Sequence, residues 1–306
     1  MRRHSLLLAA AASSVAHALE GFAKNGNVTL HYQVSGQGPA ILLLHGFPDN
    51  SDTWSEQVAR LESTNTVIRP TLRGYPPSDI PPITEENYNL TTIASDVIAV
   101  LDHLKIEKAV VGGHDFGGVA IQLVPLLFPE RVDGLILMNT PPIPRFYDVI
   151  RTDKGQQEMA NYTLDFIAYK PGDPVGRDID YLIRGVPNQQ SHRDELKKYL
   201  SSTRLEGMFA YYKYNYPAPP YDVALVDTSA FPKNEVPTLI LWGLADPAFS
   251  LKLLDGIPDH FENTTRLVTL PGVGHWSFLE QPDRVNDEIV SWLDFLKTQG
   301  CVRCRV

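Results

Sequence analysis

The run Val110-Val111-Gly112-Gly113-His114-Asp115-Phe116-Gly117-Gly118 is the most informative in the chain. A branched apolar strand turns abruptly through glycines into a helical segment. This is the pattern of a nucleophile elbow, Gly-x-Nu-x-Gly, which lifts one side chain above the end of a sheet. Serine is the usual occupant of the central position, and here it is Asp115. The exchange alters the chemistry. A serine alkoxide attacks carbonyl carbon, whereas a carboxylate displaces a leaving group from saturated carbon and becomes an alkyl ester that water must cleave. Asp115 therefore points away from ester and peptide hydrolysis, toward opening of an epoxide or loss of a halide.

Strand and helix signals alternate on either side of this run. Val28 to Val34 and Ala40 to Leu44 are predicted early strands, Thr66 to Arg69 the next, and Lys108 to Gly112 feeds the elbow. Ile93, Val97, Ile98, Leu101 and Leu104 share one helical face. Val119 to Phe128 is the predicted helix after the elbow, with Pro125 expected to remove a hydrogen bond and bend the axis. Gly134 to Met138 is another buried strand. From about Pro141 to Pro232 the sheet pattern stops, and this stretch holds ten of the thirteen tyrosines. Most of these rings are expected to pack a helical subdomain, with one or two hydroxyls directed at the elbow. Sheet signals resume at Thr238 to Trp242 and Arg266 to Leu270. A last helix carries Val285, Ile289, Trp292, Leu293 and Leu296 on one face. The pattern predicts an α/β fold, a mostly parallel central sheet flanked by helices with one inserted helical cap. The core then spans 19–140 and 236–300, the cap 141–235, and a cysteine-bearing tail 301–306.

Two more residues stand where catalysis needs them. Leu239-Ile240-Leu241-Trp242-Gly243 runs into a loop carrying Asp246, and Leu267-Val268-Thr269-Leu270 into one carrying His275. Loops at the carboxyl ends of parallel strands share one edge of the sheet, the edge that bears Asp115. Upstream, Leu42-Leu43-Leu44-His45-Gly46-Phe47-Pro48 is a strand entering a Gly/Pro turn. The backbone N–H groups of Phe47 and Phe116 can form an oxyanion hole there.

The chain has 306 residues, a formal net charge of −9 and 43% hydrophobic residues, enough for one large α/β domain with an insertion. Its acidity, without a Lys/Arg cluster, argues against nucleic acid or an anionic membrane as partner. Arg2, Arg3 and His4 precede an apolar run from Leu6 to Ala12, followed by Ala16-His17-Ala18, so residues 1–18 read as a secretory signal peptide. No later stretch reaches the ~18 uninterrupted apolar residues of a membrane span. Sequons at Asn27, Asn89, Asn161 and Asn263 agree with a secretory, secreted glycoprotein. Cys301 and Cys304 form a lone C-x-x-C pair, which suits a small disulfide or redox pair better than zinc.

His45-Gly46-Phe47-Pro48, Leu72-Arg73-Gly74-Tyr75-Pro76-Pro77-Ser78, Gly113-His114-Asp115-Phe116-Gly117-Gly118, Trp242-Gly243-Leu244-Ala245-Asp246 and Gly274-His275-Trp276 occur in that order. Together they resemble the α/β-hydrolases of the epoxide hydrolase and haloalkane dehalogenase branch, most of all an epoxide hydrolase. The resemblance implies a triad of Asp115 as nucleophile, Asp246 as acid and His275 as general base, with no metal or organic cofactor. It also implies two cap tyrosines that protonate the epoxide oxygen. Gly207 to Lys213 is similar to the segment carrying one of them, which makes Tyr212 the candidate. The segment similar to the other has Phe166 where the tyrosine is expected, leaving Tyr162 or Tyr169 as replacement. His45, Pro48, Phe166, Tyr169 and Trp276 are the remaining candidates for contact with substrate, His45 more as a support of its loop than as a second base. The implied partners are water and a small apolar epoxide, which is a xenobiotic, a lipid epoxide or a polyepoxide in biosynthesis of an oxygenated metabolite; in the last case a hydroxyl of the substrate could complete the ring chemistry. A dehalogenase using the same nucleophile, or a non-catalytic ligand-binding homologue, is the alternative. Phe116 and Phe47 stand where dehalogenases of this branch often place donors to the halide.

Overall fold

A computed structural model describes residues 19–221 and 230–303. The expected leader and Cys304 lie outside the described residues. The final helix, Pro282–Arg303, continues past the tail boundary expected at 301 and contains Cys301.

Eight strands form one sheet: β1 (Leu19–Asn25), β2 (Val28–Ser35), β3 (Ala40–Leu44), β4 (Thr66–Pro70), β5 (Ala109–His114), β6 (Val132–Met138), β7 (Thr238–Gly243) and β8 (Thr265–Leu270). They run in the order β1-β2-β4-β3-β5-β6-β7-β8. Pairing is antiparallel through β1, β2 and β4 and parallel from β4 to β8. The apolar run of β5 is explained by its place, since every residue of this central strand is buried. β1 has no counterpart among the predicted strands. It is an edge strand joined to β2 through Gly26 and Asn27, and Ala23 is its one buried residue, so it lacks the alternation that announces a strand.

The helix after the elbow is shorter than expected. It spans Asp115–Ile121, and a second short helix, Val124–Leu127, follows. Pro125 lies in the first turn of that second helix rather than inside a continuous one. A missing N–H there breaks no intrahelical bond.

Between β6 and β7 the described chain is helical, including Ile143–Thr152, Lys154–Met159, Thr163–Ile167, Gln190–Ser202 and Glu206–Asn215. Several tyrosines of this cap anchor it to the core by donating to backbone carbonyls. Tyr199 reaches Pro76 at 2.8 Å, Tyr211 reaches Arg73 at 2.9 Å and Tyr214 reaches Ile83 at 2.9 Å. No described helix is long and apolar enough to cross a membrane.

Candidate active site

β3 and β5 are neighbours, with β4 on the far side of β3, so the direction of strand addition reverses between them. The loops leaving their carboxyl ends therefore face each other across a crevice, the place where open α/β sheets bind ligands. One loop is His45-Gly46-Phe47-Pro48 and the other is the elbow. Asp115 has φ 52°, in the left-handed region that side-chain-bearing residues rarely occupy. The turn directs its carboxylate out over the sheet edge. Two glycines permit this. A Cβ on Gly46 would stand 2.4 Å from that of Asp115, and one on Gly117 would stand 2.2 Å from the Leu44 carbonyl oxygen.

The Phe47 N–H donates to Asp115 Oδ1 at 2.7 Å. Phe116 occupies the first turn of the following helix, where backbone N–H groups lack intrahelical acceptors. On the other side of the carboxylate, His275 Nε2 is 3.7 Å from Asp115 Oδ2, while His275 Nδ1 is 2.7 Å from Asp246 Oδ2. The structure thus brings together the three residues expected to form a triad, from loops after β5, β7 and β8.

Asp246 is buried and fully engaged. Its Oδ1 accepts from the N–H groups of Ala248 at 2.7 Å and Phe249 at 3.1 Å, and its Oδ2 accepts from Asn139 Nδ2 at 2.9 Å. Asn139 was not among the expected site residues. It caps β6 at φ 44°, donates also to the Gly274 carbonyl at 3.2 Å and accepts from the Gly243 N–H at 3.3 Å. One amide therefore ties the acid loop to the histidine loop. Its sequence signal is faint, an asparagine tolerant of left-handed backbone at a strand end.

The imidazole of His275 lies between two carboxylates. Burial opposes its charge, but Asp246 and Asp115 outweigh burial and push its pKa up to about 10. Two other histidines nearby are held neutral. Burial lowers His45 to about 4, where Nδ1–H donates to the Gly46 carbonyl at 3.0 Å and Nε2 accepts from the Leu72 N–H at 3.1 Å. Burial also drives His114 well below the ordinary histidine range, and its Nε2–H donates to the His275 carbonyl at 3.0 Å.

Above Asp115 two lobes of cavity lie between cap and core. The larger, about 450 Å³, is lined in part by Phe47, Pro48, Phe166, Leu182 and Trp276. The smaller, about 40 Å³, lies among Val119, Ile143, Phe146, Tyr216 and Phe249. Asp115, Tyr162 and Tyr212 border both. Tyr212 is caged edge-on by Phe116, Phe47 and Phe166, with centroids 4.7, 5.5 and 5.0 Å away. Burial, and after it the neighbouring phenol and the Asp115 carboxylate, raise the Tyr212 pKa. Burial and Asp115 likewise raise Tyr162.

Of the two tyrosines that could replace a phenol at Phe166, the structure therefore brings Tyr162 to the cavity beside Asp115. Tyr169 packs on Phe209 at 4.5 Å and does not border the cavity. His45 does not border it either, because its ring is fully buried beneath its own loop. Trp276 walls the larger lobe, and its indole N–H donates to Asp49 Oδ2 at 2.7 Å. Asp49, another residue the sequence did not single out, is fully buried and also meets His192 of the cap at 3.0 Å. Among the described residues no cluster of His, Cys, Asp and Glu is arranged to hold a metal.

A family profile described as alpha/beta hydrolase fold matches residues 39–282. This chain belongs to the α/β-hydrolase family. Human epoxide hydrolase 4 is 29% identical over 88% of this α/β-hydrolase and 77% of its own length. The Xenopus tropicalis protein named epoxide hydrolase 3 is 28% identical over 93% and 80% respectively. Among solved structures, the Bacillus megaterium epoxide hydrolase in complex with an inhibitor superposes with a TM-score of 0.81 at 27% identity, covering 90% of this chain and all (100%) of that one.

Proposed function

We propose that this α/β-hydrolase is an epoxide hydrolase working through a covalent ester on Asp115. The observation that carries the proposal is the position of the carboxylate, which faces Tyr162 and Tyr212 across the cavity with His275 at its side. Oδ1 is held by the Phe47 N–H, so Oδ2 is the oxygen free to attack an epoxide carbon. The ring C–O bond breaks as the Asp115–carbon bond forms, and the departing oxygen takes a proton from the tyrosine pair. Water, deprotonated by His275, then adds to the ester carbonyl, while the N–H groups of Phe47 and Phe116 receive the oxyanion. Collapse releases the diol and restores the Asp115 carboxylate, and the proton taken up by His275 returns to the tyrosine pair, resetting both groups. Removing one oxyanion donor typically costs about 2.7–4 kcal/mol in barrier height.

Halide release has less support. The Trp276 indole N–H is engaged by Asp49, and the Asn215 amide, which borders the smaller lobe, donates to the carbonyls of Tyr88 and Tyr211. Neither is free to cradle a halide. A purely ligand-binding role would not require a carboxylate, an imidazole and a second carboxylate in hydrogen-bonding series. The decisive experiment incubates the protein with panels of epoxides and haloalkanes and scores diol against halide. Halide without diol would replace this proposal with the dehalogenase, and neither product would leave the binding protein.

We infer further that the chain passes through a secretory lumen, on the leader pattern and the sequons. Asn27 and Asn161 are exposed, whereas the amides of Asn89 and Asn263 donate to nearby backbone carbonyls.

A further inference from the structure

We propose that Arg184 is a positioning residue that acts through Tyr162. Its guanidinium stabilises the negative charge that this phenol takes on as its proton passes to the epoxide oxygen, while Tyr212 keeps its own proton and only donates a hydrogen bond. This rests on the epoxide hydrolase proposal above and divides the labour between its two phenols. Alkylation moves a charge. Asp115 Oδ2 gives an electron pair to an epoxide carbon, the ring C–O bond breaks onto oxygen, and that oxygen takes the Tyr162 proton. One negative charge therefore leaves Asp115 and appears on Tyr162, where it stays until His275 returns a proton. Asp115 and His275 aside, Arg184 is the charged residue among those lining the larger lobe, and it is a cation.

The two phenols stand in different surroundings. The Arg184 guanidinium lies over the Tyr162 ring, 5.0 Å from its centroid. Tyr212 is enclosed by the rings of Phe116, Phe47, Phe166 and Tyr216, and among the described residues no cation lies over it. A cation on the face of a neutral phenol gains a modest attraction, and on a phenolate it gains more, so the contact strengthens as the proton leaves. Burial, then Asp115 and Asp246, oppose ionisation of Tyr162, while Arg184 and a hydrogen bond with Tyr212 favour it. Around Tyr212, burial, Tyr162, Asp115, Tyr75 and Tyr216 all oppose it. The turn carrying Arg184 is held in place. The guanidinium donates to the Tyr181 carbonyl at 2.6 Å and stacks on that ring at 3.9 Å. Arg193 donates to the carbonyls of Ile183 and Val186 at 3.0 and 2.6 Å, and a Cβ on Gly185 would stand 3.0 Å from the Trp276 ring. Among the described residues no carboxylate pairs with Arg184, so its charge is available to the ring beneath it.

The test is a double-mutant cycle read at the alkylation step. Rapid-quench rates of Asp115 alkylation by styrene oxide and cyclohexene oxide are measured against epoxide concentration for the wild type, Arg184→Gln, Arg184→Lys, Tyr162→Phe and the double variant Arg184→Gln/Tyr162→Phe. Arg184→Gln should lower the saturating rate by about three- to tenfold, the size of a cation resting on an aromatic face, and leave the half-saturating concentration unchanged. Arg184→Lys should recover part of the rate. In the Tyr162→Phe background, where no phenolate can form at that position, Arg184→Gln should cost nothing further. The parent rate in Arg184→Gln overturns the proposal, as does the same fold loss with and without the Tyr162 hydroxyl, or a loss confined to the half-saturating concentration. These outcomes leave the epoxide hydrolase proposal standing. If the wild type is alkylated on Asp115 by neither epoxide and makes diol from none of the wider panel, that proposal fails, and this one with it.

Discussion

Asp246 touches no substrate-facing space in the proposed reaction, yet the ester step depends on it through His275. Asp246→Asn should preserve the fold and slow hydrolysis of the ester by about 10³–10⁴-fold, because the imidazole loses both its orienting acceptor and its counter-charge. Asn139 donates to Asp246 in the native arrangement, so in the variant two amides meet and Asn139 cannot substitute for the lost charge. Single-turnover kinetics would measure the step, and wild-type turnover would remove Asp246 from the triad. His275→Gln separates the half-reactions more sharply. Alkylation should survive and deacylation stall, giving a protein heavier by one substrate in intact-mass spectra; unmodified protein that still makes diol would exclude the covalent route. The charge of His275 adds a dependence on pH. With a pKa near 10 in the free enzyme it is an imidazolium at neutral pH. Alkylation converts Asp115 to a neutral ester, which removes one of the two anions holding that proton and lowers the pKa. Deacylation should therefore slow as pH falls through the lowered value, and rapid-quench rates across pH would follow it.

At the scale of elements, the cap supplies the proton donors for the first half of the proposed reaction. Tyr162 precedes the helix Thr163–Ile167, and Tyr212 lies on Glu206–Asn215. A departing alkoxide is far more basic than a phenolate of pKa about 10, so it needs their proton. Tyr212→Phe should slow alkylation of Asp115 by about 10²-fold, Tyr162→Phe should slow it comparably, and the double variant should lose it. Alkylation at the parent rate in the double variant would mean another proton donor. The resemblance of Gly207 to Lys213 to the family's cap segment singled out Tyr212 but left its companion open between Tyr162 and Tyr169. A phenol before a short helix and one after it stand seven positions apart, and only the packing of Phe166 and Tyr169 on Phe209 decides which faces Asp115. The same docking makes the His192–Asp49 contact between cap and core. Burial works against the imidazolium of His192, Asp49 outweighs it, and its pKa is raised above 6.5. A raised folded-state pKa stabilises the fold fully below the unfolded value of 6.5, and that contribution is lost as pH rises through the raised one. Thermal melts of wild type and His192→Gln should therefore diverge below pH about 6.5 and converge at alkaline pH. A constant gap would show that the ion pair contributes no such linkage.

For the molecule as a whole, the parallel strands, the helical insertion and the loops that carry Asp115, Asp246 and His275 were legible because each rests on a local pattern, an apolar run or a loop at a strand end. The strand order was not, since it arises from pairings between distant segments such as Leu44 with Gly113. Neither were β1 and Asn139, whose roles depend on neighbours rather than on their own composition. Asp49 escaped notice for the same reason, as a single charged residue in a stretch without period. The cap leaves after β6 and returns to β7, the adjacent strand. Asp115, Asp246, His275 and the Phe47 N–H all belong to the core, whereas Tyr162 and Tyr212 belong to the insertion. Descent can therefore act on the two separately. A lineage that exchanged only the inserted segment would keep the apparatus proposed to cleave an alkyl ester while acquiring a different choice of molecule to make that ester from.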